Sequence, residues 1–320
     1  MSENFEQEHY FATRHARPAR EAKEGDPVSK EYPDLTEQGV EQARERAKNE
    51  IFNLIKNAPE NAVIFVGGTS DQPRTKQTAE IYGDALSALK EELEHEKITV
   101  ITKSDIDRLV AENVGEEAVK AAAKEKAFMP GQIIKVVKKL QEMVANSPGK
   151  VIIDYPLMLK ELAYKYNNRW TDQKGNKTEY FAEVLKKHGQ NHYTAGEDWL
   201  ENQGRLEVGE KVLQGPNPQE VAEEYLQGLK RLRAFVEKNA PGRPVIVGEV
   251  GHQWDLDALV TYLANDGKVD FEGYKKVSQG QGIMKEAEMT EVVIEPEKSV
   301  IKYATIKFVC RCGIKPLPRH

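Results

Sequence analysis

Cysteine is scarce: the 320 residues hold two, Cys310 and Cys312, in a C-x-C near the end. With only His320 nearby as a further ligand, that pair makes neither a four-ligand zinc site nor a disulfide framework, and no metal is expected. Long apolar runs are missing as well. Nothing approaches the ~20 consecutive apolar residues that span a bilayer, so no membrane partner is expected. The first eight residues are acidic and lack an apolar signal core, which gives a cytoplasmic expectation. Basic charge is not in excess either. Lys and Arg number 46 against 52 Asp and Glu, for a formal net charge of −6. A binder of nucleic-acid backbone shows a basic face, so nucleic acid is not expected as a partner. The chain has no internal repeat and no low-complexity segment.

What is present is patterned. Residues 8–13 read as a strand, and 17–34, with three prolines and many charges, as the loop that leaves it. Thr36 is a suitable N-cap, and Val40, Ala43, Ala47, Ile51 and Leu54 recur at helical steps behind it. The apolar run Ala62–Val66 suits a strand buried on both faces. Ala79, Tyr82, Leu86, Leu89 and Leu93 mark the next helix, and 98–102 the next strand. Strand, helix, strand, helix, strand in this order argues for an α/β sheet with helices on both faces. Residues 103–149 read as helices broken near Pro130, and 151–155 as a strand. The stretch 155–205 is rich in aromatics and reads as an excursion from the sheet. Helix signals return at Pro218, a strand at 244–247, a helix at 254–263, and a late antiparallel pair at 291–295 and 300–309.

In open α/β sheets, ligands bind beyond the carboxyl ends of the strands. Arg14-His15, Arg74 and His252 each fall just past such an end, bringing two guanidinium groups and two imidazoles toward one crevice. A guanidinium holds phosphate oxygens as a planar fork, and a neutral imidazole nitrogen in line with phosphorus can act as a nucleophile.

Four segments then fall into a known order: Arg14-His15-Ala16, Leu35-Thr36-Glu37-Gln38-Gly39-Val40-Glu41-Gln42-Ala43, Arg74-Thr75-Lys76-Gln77-Thr78-Ala79-Glu80 and Gly251-His252. In these motifs the chain resembles the histidine phosphatase superfamily, the clan of phosphoglycerate mutases and histidine acid phosphatases. They cover 8–102 and 218–309 well and the middle poorly. The resemblance implies a three-layer αβα sandwich with a mostly parallel central sheet and a helical, aromatic insertion. Residues 1–102 and 216–320 would form the α/β core, and 103–215 an insertion or cap.

It also implies His15 as the nucleophile that becomes phosphohistidine, with Arg14, Arg74 and His252 holding the phosphoryl oxygens and no metal or other cofactor. The implied activity is hydrolysis of a small phosphoester. The alternatives are a phosphoglycerate mutase-type transfer or a non-catalytic phospho-ligand binder. The acid that protonates the leaving oxygen has two candidates. Glu161, in Leu159-Lys160-Glu161, keeps the family's L-x-E spacing without the following glycine. Glu112 has a nearby glycine but a spacing one residue too long. The acid-phosphatase branch places Asp after its second His, where this chain has Gln253. Asp255 and Asp257 are read as favouring the helix dipole. Ser70 and Arg17 are further site candidates, and Trp170, Tyr166, Trp199, His188 and His192 are candidates for leaving-group recognition, with the small core of a subdomain as the other reading of that cluster.

Overall fold

The computed structural model describes residues 7–22, 25–68, 72–117, 120, 130–155, 170–171, 176–278, 284–295, 299–303 and 306–310. β1 (Glu8–Arg14) leads through a 3-10 turn at Ala19–Glu21 to α1 (Glu37–Arg46). Thr36 caps α1 as expected: its hydroxyl accepts from the Gly39 N–H, satisfying an amide the helix leaves unpaired. A π-helical turn, Ala47–Ile51, joins α1 to α2 (Phe52–Asn57) and keeps Val40, Ala43, Ala47, Ile51 and Leu54 buried along one stripe. Next come β2 (Val63–Gly68), α3 (Pro73–Ala88), α4 (Lys90–His95) and β3 (Thr99–Ile101). α5 (Lys103–Val114) and α6 (Pro130–Asn146) lead to β4 (Val151–Tyr155). α7 (Glu179–Lys187), α8 (His192–Glu201) and the hairpin β5 (Arg205–Val208) and β6 (Lys211–Gln214) follow. α9 (Pro218–Asn239), β7 (Val245–Gly251), α10 (Gln253–Ala264) and α11 (Phe271–Ser278) return the chain to the sheet. β8 (Met289–Ile294), β9 (Ser299–Tyr303) and β10 (Ile306–Cys310) complete it.

The main sheet runs β10-β9-β8-β1-β7-β2-β4-β3. From β1 to β3 every neighbouring pair is parallel, and β8, β9 and β10 add an antiparallel edge on the far side of β1. Alternate residues feed two cores, as the strand period requires. Phe11, Ile64, Val66, Ile152 and Ile246 pack under α1, α2 and α3. Tyr10, Ala12, Val63, Phe65, Val151, Ile153 and Val247 pack with α9, α10 and the aromatic middle region. The α/β class with helices on both faces is therefore observed.

Two features differ from the sequence reading. The run 300–309 is two strands rather than one, because Ile306 pairs back onto Tyr303; Ala304-Thr305 between them carries no Gly, Pro or Asn to signal a turn. The β5–β6 hairpin was hidden by its polar strands, although Gly209, at φ +60, marks the turn. The strand read at 151–155, within the segment 103–215, is β4, which sits between β2 and β3.

Register brings the crevice together. Arg14 pairs with Gly251 across β1 and β7, and Gly68 with Val250 across β2 and β7. His15 and His252 are the next residues on two parallel neighbours ~4.8 Å apart, so they must leave the sheet side by side. The loop after His15 then needs Gly39: a Cβ there would sit 2.7 Å from the Arg17 carbonyl oxygen and 2.9 Å from its nitrogen. Gly39→Ala must push that backbone away, and its urea midpoint should fall by an amount equivalent to about 1–3 kcal/mol.

Candidate active site

His15 follows β1 directly and is held by its backbone on two sides. Its N–H donates to the Gly251 carbonyl at 3.0 Å, and the Ala287 N–H donates to its carbonyl at 3.4 Å. Its ring Nδ1 lies 2.8 Å from the Ala16 carbonyl oxygen. A carbonyl only accepts, so Nδ1 carries the proton and Nε2 the lone pair. Arg74 agrees with this tautomer, since its Nε, which can only donate, lies 3.1 Å from His15 Nε2. The other end of the same guanidinium, Nη2, lies 3.1 Å from His252 Nδ1. His252 therefore accepts on Nδ1 and keeps its proton on Nε2. The two imidazoles meet edge to face with centroids 5.2 Å apart.

Arg74 enters at the start of α3. Pro73 occupies the first helical turn, where its missing N–H costs nothing and its fixed φ suits the helix. The motif residues around it have visible work. The Thr78 hydroxyl donates to the Arg74 carbonyl at 2.8 Å and accepts from the Ala16 N–H at 3.0 Å, tying the exit of β1 to α3. Gln77 and Asp34 exchange two hydrogen bonds of 2.9 Å, pinning the intervening loop to the same helix.

Both histidines are buried, His15 at 5% and His252 at 7% exposure. Burial pushes both imidazoles well below the usual histidine range, and the Arg74 charge pushes them further. Both shifts favour the neutral imidazole, whose Nε2 lone pair accepts from Arg74 Nε.

Arg14 is brought to the same crevice but arranged differently from Arg74. Its Nη1 donates to the Met284 carbonyl at 2.9 Å and the Tyr193 hydroxyl at 3.2 Å, while Nη2 lies 3.3 Å from Glu286 Oε1. Its Nε is buried and has no hydrogen-bond partner among the described residues. Tyr193, in the first turn of α8, and Glu286 were not found in the sequence. Nothing in their spacing marks them, because long-range packing alone carries them to Arg14.

Other candidates fall elsewhere. Arg17 is taken up by its own loop: it pairs with Asp26 at 3.4 Å and donates to Gln38 and to the Glu21 carbonyl. Glu112 is exposed on α5, about nine residues or ~14 Å along that helix from its start. The helix follows β3, which is the sheet edge and about three strand spacings, ~14 Å, from β7. The structure does not bring Glu112 to the histidines. Ser70, Glu161, Tyr166, Cys312 and His320 lie outside the described residues.

Trp170 and Trp199 are core rather than ligand surface. With Trp254 they form a cluster, Trp170 edge-on to Trp254 at 4.9 Å and Trp199 stacked on Trp254 at 5.6 Å. His188 is bound to Asp198 at 2.8 Å. His192 is half-buried at the crevice rim, where burial lowers its imidazole and Glu21 opposes that shift. Asp255 accepts from Trp170 Nε1 at 3.2 Å. Burial pushes Asp257 up to about 8 in spite of Arg14 beside it, so it is neutral at pH 7 and cannot favour a helix dipole. Gln253 is buried and hydrogen-bonds Asp257, which leaves no acid directly after His252. Among the described residues no group of three or more His, Cys, Asp or Glu could hold a metal ion. No helix among them is long and apolar enough to cross a membrane.

Beneath His252, Glu249 on β7 is buried, and burial raises its carboxyl to about 8 while the Tyr225 hydroxyl opposes the rise. A raised folded-state value means that Glu249's contribution to stability is fully present below pH ~4.5 and is lost as pH climbs from there through about 8. Glu249→Gln keeps a neutral group of the same shape. Between pH 5 and pH 9 the parent should lose several kcal/mol more than this variant, because each tenfold difference in proton affinity between the folded and unfolded chain is worth about 1.4 kcal/mol. Equal losses in urea titrations at the two pH values would refute that assignment.

Neither a protein-family model nor a curated protein sequence matches this chain. Solved structures do, over nearly its whole length and at low identity. "Mycobacterial hydrolase 2" is 14% identical with a TM-score of 0.41, covering 98% of this chain and 94% of its own. A mycobacterial glucosyl-3-phosphoglycerate phosphatase, in complex with inorganic phosphate, is 16% identical with a TM-score of 0.38, covering 90% and 89%. A phosphoglycerate mutase from Bacillus anthracis is 12% identical with a TM-score of 0.35, covering 94% of each chain.

Proposed function

We propose that the protein is a phosphomonoesterase of the histidine phosphatase type, acting on a small phosphorylated molecule. His15 Nε2 attacks phosphorus, the P–N bond forms, and the P–O bond to the leaving group breaks as that oxygen takes a proton. Water then attacks the phosphohistidine and gives up its proton, the P–N bond breaks, and inorganic phosphate leaves. The observation that carries this reading is the placement of Arg74 between His15 Nε2 and His252 Nδ1, at 3.1 Å from each. That guanidinium is within hydrogen-bond reach of the attacking nitrogen, so on giving way to a phosphoryl group on Nε2 it would donate to the equatorial oxygens, and its charge would stabilise them most in the transition state.

Arg14 supports the same reading. Its Nη1 is fixed by Met284 and Tyr193, and its Nε is a buried donor in need of an acceptor. An incoming phosphoryl oxygen would supply one. The His252 Nε2–H is a further donor to the same oxygens. The test is phosphate release from a panel of phosphomonoesters, including p-nitrophenyl phosphate and phosphoglycerates, by the parent and by His15→Ala. Release that disappears in the variant supports hydrolysis. Interconversion of phosphoglycerates with little release would make the protein a mutase, and phosphate binding without turnover would make it a binding protein.

A further inference from the structure

Arg14 already has an anion beside it. Glu286 Oε1 lies 3.3 Å from Arg14 Nη2, with the guanidinium 4% and the carboxylate 26% exposed. The pairing is not a loose surface contact, because the turn that carries Glu286 is fastened to the catalytic strand. The Arg14 N–H donates to the Glu288 carbonyl at 3.0 Å, and the Ala287 N–H donates to the His15 carbonyl. The turn is closed on itself by Glu288 N–H to the Lys285 carbonyl, 3.1 Å, and by Lys285 N–H to the Glu288 carboxylate, 2.9 Å. Ala287 adopts a left-handed φ of +58 to make it, a conformation that costs a non-glycine residue energy and is retained only where the surroundings enforce it.

Resting on the function proposed above, we infer that Glu286 sets how tightly the pocket holds phosphate, by sharing Arg14 with the phosphoryl group. A dianion bound to two full guanidinium charges in a buried cleft leaves slowly. A carboxylate held on the outer end of Arg14 neutralises part of that charge and repels the product through a short, poorly screened distance. The buried Nε, without a hydrogen-bond partner among the described residues, is left for the phosphoryl oxygens. Glu286 is therefore a neighbour that tunes the affinity of the site rather than a group that exchanges a proton with substrate. It weakens the hold on substrate and product alike and so keeps product release fast.

The experiment is calorimetric titration of inorganic phosphate into the parent, Glu286→Gln and Glu286→Asp, with KM and kcat for p-nitrophenyl phosphate measured beside it. Glu286→Gln should bind phosphate about tenfold more tightly and show a KM lowered in proportion. Glu286→Asp, which keeps the charge, should stay within about twofold of the parent. Unchanged or weaker phosphate binding in Glu286→Gln, with a parent that binds phosphate, would overturn this inference and leave the proposed function standing. A parent that binds no phosphate would overturn both. A merely structural role for Glu286 predicts weaker binding in both variants, the opposite sign for Gln.

Discussion

Replacing His15 with alanine is expected to lower kcat for phosphomonoester hydrolysis by at least about 10⁴-fold, the scale seen when a covalent nucleophile is removed. The loss belongs to chemistry and not to folding. The backbone that carries residue 15 is held by the Gly251 carbonyl and the Ala287 N–H, and the next residue by Thr78, none of which involves the imidazole. The variant should therefore keep the parent's urea midpoint and its affinity for inorganic phosphate to within a few fold, since Arg14, Arg74 and His252 remain. Parent-like turnover in His15→Ala would remove the nucleophile from the account.

Replacing Arg74 with glutamine is expected to lower kcat/KM by about 10²–10³-fold, as loss of one preorganised donor to transition-state charge does. A second consequence is more diagnostic. After burial, Arg74 is the largest contributor holding His15 below the usual histidine range. Without its charge the imidazole rises toward the ordinary value of 6.5, so a larger share is protonated, and inactive, on the acid side. The acid limb of the parent's kcat/KM profile should lie below pH 6.5 once the substrate's own ionisation is subtracted. In Arg74→Gln it should move upward. A variant whose limb stays put, or moves down, would mean that Arg74 does not face His15 in the working enzyme.

The cradle was legible in the sequence because each of its parts is a local event. His15, Arg74 and His252 all stand directly after runs whose apolar character marks a central strand, or at the helix start that follows one. Parallel register then does the rest, since strands that pair Arg14 with Gly251 cannot help presenting the next residue of each side by side. Gly39, Gln77 and Thr78 belong to the same motifs, and their contacts with Arg17, Asp34 and Ala16 give those motifs a physical reason. The surroundings of the cradle were less legible. Tyr193 and Glu286 reach Arg14 from 179 and 272 residues away, along a helix and a turn whose own sequences say nothing of Arg14. The aromatic residues of the middle region could be read in the sequence either as a small core or as a recognition surface. Trp170 and Trp199 bury against Trp254, on the helix that follows His252, which makes them core. Glu112 satisfied a motif loosely but stands at the end of the sheet away from the crevice.

The central claim is that a phosphoryl group passes through His15. It is tested most directly by rapid acid-free quenching of the parent with a ³²P-labelled phosphomonoester, followed by peptide mapping. The account predicts stoichiometric label on the peptide that contains His15, stable to alkali and lost in mild acid, and absent from His15→Ala. Label on another residue, or active enzyme that never acquires label in the pre-steady state, would contradict it.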